Sequence, residues 1–288
     1  MEDNKNTPDI NNSSRVYALF YSFFLIPLML TIFGVLFFFL FKMLTYEEQD
    51  PYHLLNNIKS GSLTKRWQSA YELSNLMTDP NKIPTDDLFV NQMISIYSKS
   101  IHDDPRVRTY IALAMGQTEN VVFGDILSDG LNDTNLENRI AAIKSLGSLK
   151  YKQSVGALNS IITSNDNDEE RLAAIISIGE IGDFSSIPFL IETLDDEEPN
   201  IRWDTAISLY KMNDKSGYEI IEKLLSREYY MNYKNVDINE ASNTILTVLA
   251  LISPNPSEEF KDELLFLSKN EKNIKIREFS MKILVEHY

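Results

Sequence analysis

The sequence predicts an all-α protein, in which a single membrane-spanning helix near the N-terminus is followed by an α-solenoid of about seven helix pairs. Two observations carry this prediction. One uncharged apolar run is long enough to cross a bilayer, and a short phrase that begins with arginine recurs along the rest of the chain. The 288 residues include 43% hydrophobic side chains, which is ample for a core.

Charge and cysteine content exclude several classes of function. There are 42 acidic and 27 basic residues, so the formal net charge is -15. Such a surface repels phosphate backbones, and we therefore expect no binding to nucleic acid. The chain has no cysteine, which excludes disulfides, thiolate catalysis and cysteine-ligated zinc.

The apolar run covers residues 16–41 and lies between Arg15 and Lys42. A helix rises about 1.5 Å per residue, so the run can cross a hydrocarbon core of roughly 30 Å. A cleavable signal peptide would have a shorter apolar stretch and a small-residue cleavage site, and neither is present. We expect a retained anchor, a disordered polar tail at 1–14 and a juxtamembrane linker or short helix at 42–59.

The orientation of the anchor is nearly balanced between the two sides of the membrane. Lys5 and Arg15 flank one end of the run, and Lys42 and Lys59 flank the other. We favour a cytoplasmic N-terminal tail and a periplasmic large domain over the opposite arrangement. The sequence thus predicts a single-pass protein of a bacterial inner membrane.

The recurring phrase consists of an arginine followed by small and apolar residues. It begins at Arg66, Arg108, Arg139, Arg171, Arg202 and Arg277. The spacings are 42, 31, 32 and 31 residues, and the last gap, 75, has room for a degenerate unit from Asn239 that lacks the arginine. Small or apolar residues three, four and seven positions after the arginine share one helix face.

Each repeat unit is predicted to contain two antiparallel helices. The arginine helix comes first, and a second apolar segment follows it, for example at 155–163 and 187–194. Gly116, Gly147 and Gly179 are suited to ending the arginine helices. A helix pair cannot bury its apolar faces alone, so the units are expected to stack into one core over 60–288.

Three segments resemble units of the HEAT-repeat family, in particular its short-repeat subtype named after phycobilisome lyases. They are DPRVRTYIALAMG at 104–116, RLAAIISIGEIGD at 171–183 and EPNIRWDTAISL at 198–209. The subtype's units run D-P-x-V-R-x-x-A-A-x-A-L-G. The resemblance implies an α-solenoid, in a family that includes scaffolds, adaptors and a few enzymes. It also implies a structural ladder of acidic residues and arginines between adjacent units, which by position pairs Asp104 with Arg108, Asp168 with Arg171 and Glu198 with Arg202.

The sequence offers no recognisable catalytic constellation. HEAT-repeat hydroxylases use His-Glu pairs, whereas the three histidines here are followed by leucine, aspartate and tyrosine. The acidic run at 165–170 lacks the turn glycine and the distal glutamate of a calcium loop. Glycine-rich phosphate loops and the G-x-S-x-G motif are missing. We therefore expect no enzyme activity and no cofactor or metal.

Two aromatic features are candidates for contacts with a partner protein. They are Trp67 and Trp203, each directly after a repeat arginine, and Tyr229, Tyr230 and Tyr233 in the irregular junction at 226–237. Tryptophan and arginine are common binding anchors, and insertions in repeat arrays often map to a binding face. Packing within the array is the competing interpretation of both features.

These observations predict a non-enzymatic, membrane-anchored scaffold or adaptor that binds a protein partner through its acidic helical-repeat surface. The partner could belong to a membrane complex, and no small-molecule substrate is indicated. Two alternatives stay open. Family resemblance alone suggests a lyase-like or chaperone-like accessory factor for another protein's cofactor, and a third possibility is an envelope assembly or spacer protein.

Overall fold

The computed structural model describes residues 20–44, 50–164, 167–234 and 236–288. These ranges contain α-helices and short helical turns and no strand, which confirms the all-α class. The chain divides into two units, Met1–Gln49 and Asp50–Tyr288. The predicted tail at 1–14 and the first residues of the predicted anchor, 16–19, lie outside the described residues.

The N-terminal unit contains one apolar helix. A π-helical turn at Tyr21–Leu25 leads into α1 at Ile26–Leu44. The turn lies directly before Pro27, whose ring lacks an amide hydrogen and interrupts regular helical bonding. The stretch Tyr21–Met43 has 23 residues and a mean hydropathy of 2.7, so by length and composition it could span a membrane or be a signal sequence.

The described residues of the larger unit form an α-solenoid of seven helix pairs with one additional short helix. The helices are α2 (Pro51–Ser60) and α3 (Leu63–Leu76), α4 (Asp87–Lys99) and α5 (Pro105–Gln117), α6 (Gly124–Asp129) and α7 (Leu136–Ser148), α8 (Val155–Ser164) and α9 (Asp168–Ile181), α10 (Ile187–Glu192) and α11 (Pro199–Lys211), α12 (Tyr218–Leu225), the short α13 (Arg227–Tyr230) and α14 (Ile238–Ile252), and α15 (Lys261–Asn270) and α16 (Ile274–His287). Buried apolar side chains form three successive clusters along this array.

The arginine helix is the second helix of each pair, whereas the sequence placed it first. The first pair begins with α2, which lies largely in the stretch expected to be a linker or short helix. Its Leu54, Leu55 and Ile58 are buried in the core, and the Ile58 carbonyl accepts a hydrogen bond from Arg66 Nε at 2.8 Å. The last arginine helix, α16, completes its pair with α15 in front of it. The phase of the pairs therefore depends on which helices bury their apolar faces against each other.

The arginine helices of successive units pack closely because small residues line their contact. Each of three serines donates a hydrogen bond to a carbonyl of the preceding arginine helix. The bonds are Ser145 to Ala112 at 2.8 Å, Ser177 to Ile143 at 2.9 Å and Ser208 to Ile175 at 3.1 Å. Gly116, Gly147 and Gly179 lie opposite these serines, where a Cβ atom would be within 3.0 Å of the serine Cα. They lie inside the last helical turns, so their role as helix terminators was wrongly predicted and they serve close packing instead.

Candidate partner-binding site

A ladder of ion pairs joins neighbouring units of the array. Four of the repeat arginines reach forward to an acidic side chain just before, or at the start of, the next arginine helix. The pairs are Arg66 with Asp103, Arg108 with Asp133, Arg139 with Glu170 and Arg171 with Asp196. The Arg108 Nε and Asp133 Oδ2 atoms are 2.7 Å apart, and both side chains are less than a tenth exposed. Because a buried charge that loses its partner is costly, these pairs favour one register of each unit on the next.

Two of the three pairs that the resemblance implied are not the pairs of this ladder. Asp104 caps α5 by accepting the Arg106 amide, and its carboxylate pairs with the Arg106 side chain at 2.6 Å. Glu198 caps α11 in the same way, through the Asn200 amide. The reason is geometric, because a residue four positions before the arginine faces the free amides of its own first turn.

The third implied pair is present as one half of a shared contact. Asp168 Oδ1 lies 3.1 Å from Arg171 Nη1, and Arg171 also reaches Asp196 of the next unit. Burial raises the pKa of Asp196, but the bonds from Arg171 and from the Glu198 amide outweigh burial and hold that pKa below its usual value. Asp196 is therefore the forward partner in the ladder, and Asp168 is an exposed addition.

The ladder changes its chemistry at the irregular junction. Arg202 meets the hydroxyl of Tyr233 at 3.2 Å, in the place where earlier arginines meet a carboxylate. The second helix of the next pair, α14, belongs to the degenerate unit and has no arginine at the repeat position. Arg227 of α13 replaces it, with Nη2 at 2.9 Å from both Glu271 Oε1 and Ser242 Oγ. The segment at 226–237 thus restores the bond between the last two units.

Glu271 is the buried end of this replacement. Its side chain is only 4% exposed, and both carboxylate oxygens accept hydrogen bonds from Arg227 at 2.9–3.1 Å. Burial raises the pKa of Glu271, but the bonds from Arg227 and from the Asn273 amide lower it by more, so the pKa lies below the usual glutamate value. The carboxylate is therefore charged in the folded protein at neutral pH.

Four of the five candidate contact residues form one aromatic cluster. The Trp203 ring centroid lies 5.1 Å from that of Tyr233, 6.0 Å from Tyr230 and 6.2 Å from Tyr229. The Trp203 indole donates to the Tyr229 hydroxyl at 3.2 Å, and Tyr233 donates to the same hydroxyl at 2.9 Å. Tyr230 is 3% exposed, and burial raises its pKa. Trp203, Tyr229 and Tyr233 remain partly accessible, whereas Tyr230 belongs to the core.

Trp67 is separate from this cluster and belongs to the first unit. The Arg106 guanidinium lies over its ring, 4.2 Å from the centroid. Cation–π contacts of this kind are favourable by about 0.5–1 kcal/mol at exposed sites. The two tryptophans, although they occupy equivalent positions in the repeat, therefore have different surroundings.

A cavity of about 470 Å³ lies beside the aromatic cluster, between the junction segment and the turn before α16. Arg227, Glu271, Met231 and Ile238 are among its lining residues. Met231 and Ile238 are 78% and 77% exposed, so they add accessible apolar surface to the cavity. Sequence reasoning missed all four residues, although the arginine missing from the sixth unit was a signal that another cation had to meet Glu271.

Comparison with known proteins agrees with this description of an α-solenoid built from short helix pairs. A family model for HEAT repeats matches residues 91–178 and 155–231. The chain is a HEAT-repeat protein, as its arginine phrases predicted. No curated protein matches the sequence.

Several solved structures are similar to this chain. The complex of CpcE and CpcF of phycocyanin lyase from Nostoc sp. PCC7120 is 19% identical, covers 84% of this chain and 90% of its own, and has a TM-score of 0.59. A computationally designed armadillo repeat protein for modular peptide recognition is 14% identical over 82% of this chain and 99% of its own, with a TM-score of 0.40. Human deoxyhypusine hydroxylase is 15% identical over 83% of this chain and 85% of its own, with a TM-score of 0.34. At 19% identity, the likeness to the complex of CpcE and CpcF concerns the fold alone.

Proposed function

We propose that this protein is a membrane-anchored HEAT-repeat scaffold that binds a partner protein at the cavity between its sixth and seventh units. The observation that carries the proposal is the cavity of about 470 Å³ with Met231 and Ile238 exposed beside it. The surrounding ladder is satisfied internally by Arg227 and Glu271, so the apolar side chains are the part of this surface without a structural partner in the described residues.

The shape of the cavity suits an apolar side chain held by a rigid frame. The Arg227–Glu271 pair and the capping box of Asp237 and Glu240 hold the two sides of the cavity in place. A preorganised concave site loses little entropy on binding, which is what an anchor residue of a partner requires. A single side chain of moderate size, such as leucine or methionine, would cover Met231 and fill part of the cavity.

Charge indicates which partner this surface would select. Repeat arginines such as Arg108 and Arg139 pair with carboxylates between units. The acidic residues in excess of the basic ones therefore lie on the surface of the array. Around the cavity, Glu228, Asp237 and Glu240 are exposed. Complementary charge speeds association and excludes acidic competitors. The partner segment would therefore carry an apolar anchor flanked by lysine or arginine.

The anchoring part of the proposal is supported by the N-terminal helix. None of the apolar window within Tyr21–Met43 is buried inside the protein, so its side chains need another apolar environment. Residues 16–41 would hold the array beside the bilayer, and the periplasmic orientation remains a prediction. Protease digestion of spheroplasts tests that orientation, because cleavage of the large domain only after lysis would reverse it.

The partner-binding proposal is tested with paired variants of the full-length protein in mild detergent. Met231→Glu with Ile238→Glu should abolish co-purification of the partner, since both side chains are exposed and their replacement leaves the core intact. Val121→Glu with Val122→Glu is the matched control, because these residues are 57% and 58% exposed in the helical turn just before α6. Tyr230 is left unchanged because it is buried. Equal recovery of the partner with both double variants, or no partner with the unmodified protein, would refute the assigned site.

A further inference from the structure

In the units inside the array, two positions on each arginine helix mark the face that contacts the next unit. The residue four positions after the arginine lies on it, and Ala112, Ile143 and Ile175 at this position are at most 1% exposed. Their carbonyls accept the serine hydrogen bonds of the next unit. The residue eight positions after the arginine is a glycine at Gly116, Gly147 and Gly179, in contact with the same serines. These two positions therefore mark the stacking face of a unit.

In the seventh unit the same two positions hold larger apolar side chains that nothing in the described part of the chain covers. Met281, four residues after Arg277, is 47% exposed, and Val285, eight residues after it, is 78% exposed. Together with Arg277, Glu278, Lys282 and Glu286 they line a shallow cavity of about 520 Å³. This end of the array keeps the apolar character of a stacking face.

Arg277 shows that the ladder is also incomplete at this end. Its Nη1 donates to the carbonyls of Glu271 and Lys272 at 2.6 and 3.1 Å, as Arg139 does to the carbonyls of Asp133 and Thr134. Arg139 has Glu170 as its forward carboxylate. Among the residues that the structure describes, no carboxylate forms an ion pair with Arg277. A carboxylate from outside the described array would complete the same arrangement.

We propose that this face binds a second copy of the chain through two-fold related α16 helices. Its charges are self-complementary, since Arg277 and Lys282 are matched by Glu278 and Glu286 around the apolar pair. The face is therefore neutral, although the chain as a whole has a net charge of -15, so two copies can meet here with little repulsion. A closed dimer requires such a self-complementary patch.

An antiparallel arrangement of the two helices satisfies both the apolar and the charged groups. With the two-fold axis passing between Met281 and Lys282, Arg277 of each copy lies opposite Glu286 of the other. Glu286 pairs only loosely within its own chain, with Lys282 Nζ at 3.8 Å, and both side chains are about half exposed or more. The two Met281 side chains meet at the centre, and each Val285 lies opposite Glu278 of the other copy, whose aliphatic part can cover it. The dimer thus supplies each Arg277 with the carboxylate that interior arginines obtain from the next unit.

The first test measures the mass of the full-length protein in detergent by sedimentation over a range of concentrations. Met281→Glu with Val285→Glu should raise the dissociation constant of the dimer about tenfold or more, because two carboxylates would meet at the centre and two more would face Glu278 of the other copy. Met231→Glu with Ile238→Glu is the control and should leave dimerisation unchanged. A monomeric unmodified protein, or a dimer that the Met281 and Val285 changes leave intact, would overturn the proposal.

The second test uses the absence of cysteine from the chain, which makes an introduced thiol unique. Met281→Cys lies beside the proposed axis and should form a covalent dimer under mild oxidation, since a disulfide needs Cα atoms within about 7 Å. Val122→Cys is the exposed control and should not. Head-to-tail stacking, or capture of a different protein on this face, would leave Met281→Cys monomeric on oxidation and would refute the two-fold arrangement. Neither result depends on the partner proposed for the junction.

Discussion

Replacing Gly147 by alanine should force two arginine helices of the array apart. An alanine Cβ at this position in α7 would lie 2.7 Å from the Cα and Cβ atoms of Ser177 in α9. Ordinary carbon contacts begin near 3.5 Å, so the helices must separate locally by roughly 0.8 Å. The obstacle includes backbone, and no change of rotamer can remove it. The hydrogen bond from Ser177 to the Ile143 carbonyl, 2.9 Å long, lies in the same contact and would lengthen too.

The expected loss of stability follows from two opposing effects. Overpacking of a close contact costs about 1–3 kcal/mol. Alanine is favoured over glycine within a helix by roughly 0.5–1 kcal/mol, which offsets part of that cost. The net loss should be about 1–2 kcal/mol. For an array of this size, each kcal/mol lowers the melting temperature by about 2–4 °C.

Gly156→Ala is a matched control in the neighbouring helix α8. No atom lies within 4 Å of a Cβ built at Gly156, so alanine there brings only the gain in helix preference. Urea and thermal unfolding followed by circular dichroism should show Gly156→Ala as stable as the parent protein or more stable, and Gly147→Ala clearly less stable. If the two variants were equally stable, close helix packing would not be what joins the units.

Three further predictions concern charged side chains that are wholly or largely buried. Arg227→Met leaves the buried Glu271 without its cation and should lower the free energy of unfolding by about 2–3 kcal/mol. Lys215→Met breaks the exposed pair with Glu259 and should have no measurable effect on stability. Equal effects of the two changes would contradict the stabilising role of the ladder. Because the pKa of Glu271 is lowered on folding, its stabilisation is complete above the usual glutamate pKa of about 4.3 and is lost as the pH falls through the folded-state pKa, so Glu271→Gln should weaken the acid dependence of unfolding. Burial raises the pKa of Asp204, so its charge opposes folding at neutral pH. Asp204→Asn should therefore raise the melting temperature at pH 7 and lose this advantage near pH 4. A lower melting temperature of the variant at pH 7 would show that the Asp204 carboxylate does not oppose folding.

The repeat architecture could be predicted because most units contain the same short sequence pattern. Arg108, Arg139, Arg171 and Arg202 recur every 31 or 32 residues, and the apolar positions that follow them match one face of a helix. Periodicity of this kind depends on spacing along the chain, so it can be recognised from the sequence without the structure. The apolar run that begins at residue 16 was equally legible, because length and hydropathy need no tertiary contact.

The candidate site was only partly predictable from the sequence. The aromatic residues of the junction were identified, but their burial was not, and Tyr230 proved to be in the core while Met231 beside it is exposed. Neighbouring residues on a short helix point in different directions, and composition does not say which direction faces the array. The cavity lined by Ile238 arises from segments more than 30 residues apart, which no local pattern reports.

The sequence by itself determined that the protein is helical and repetitive, with arginine at one position of every unit but the sixth, because these properties follow from local spacing. Tertiary structure decided the rest. It made the arginine helix the second of each pair, gave Arg108 the carboxylate of Asp133 rather than that of Asp104, and brought Arg227 to Glu271 in place of the missing arginine. These contacts join residues of different units across a distance that only stacking closes. A charge in one unit therefore has no identifiable partner until the next unit is packed against it.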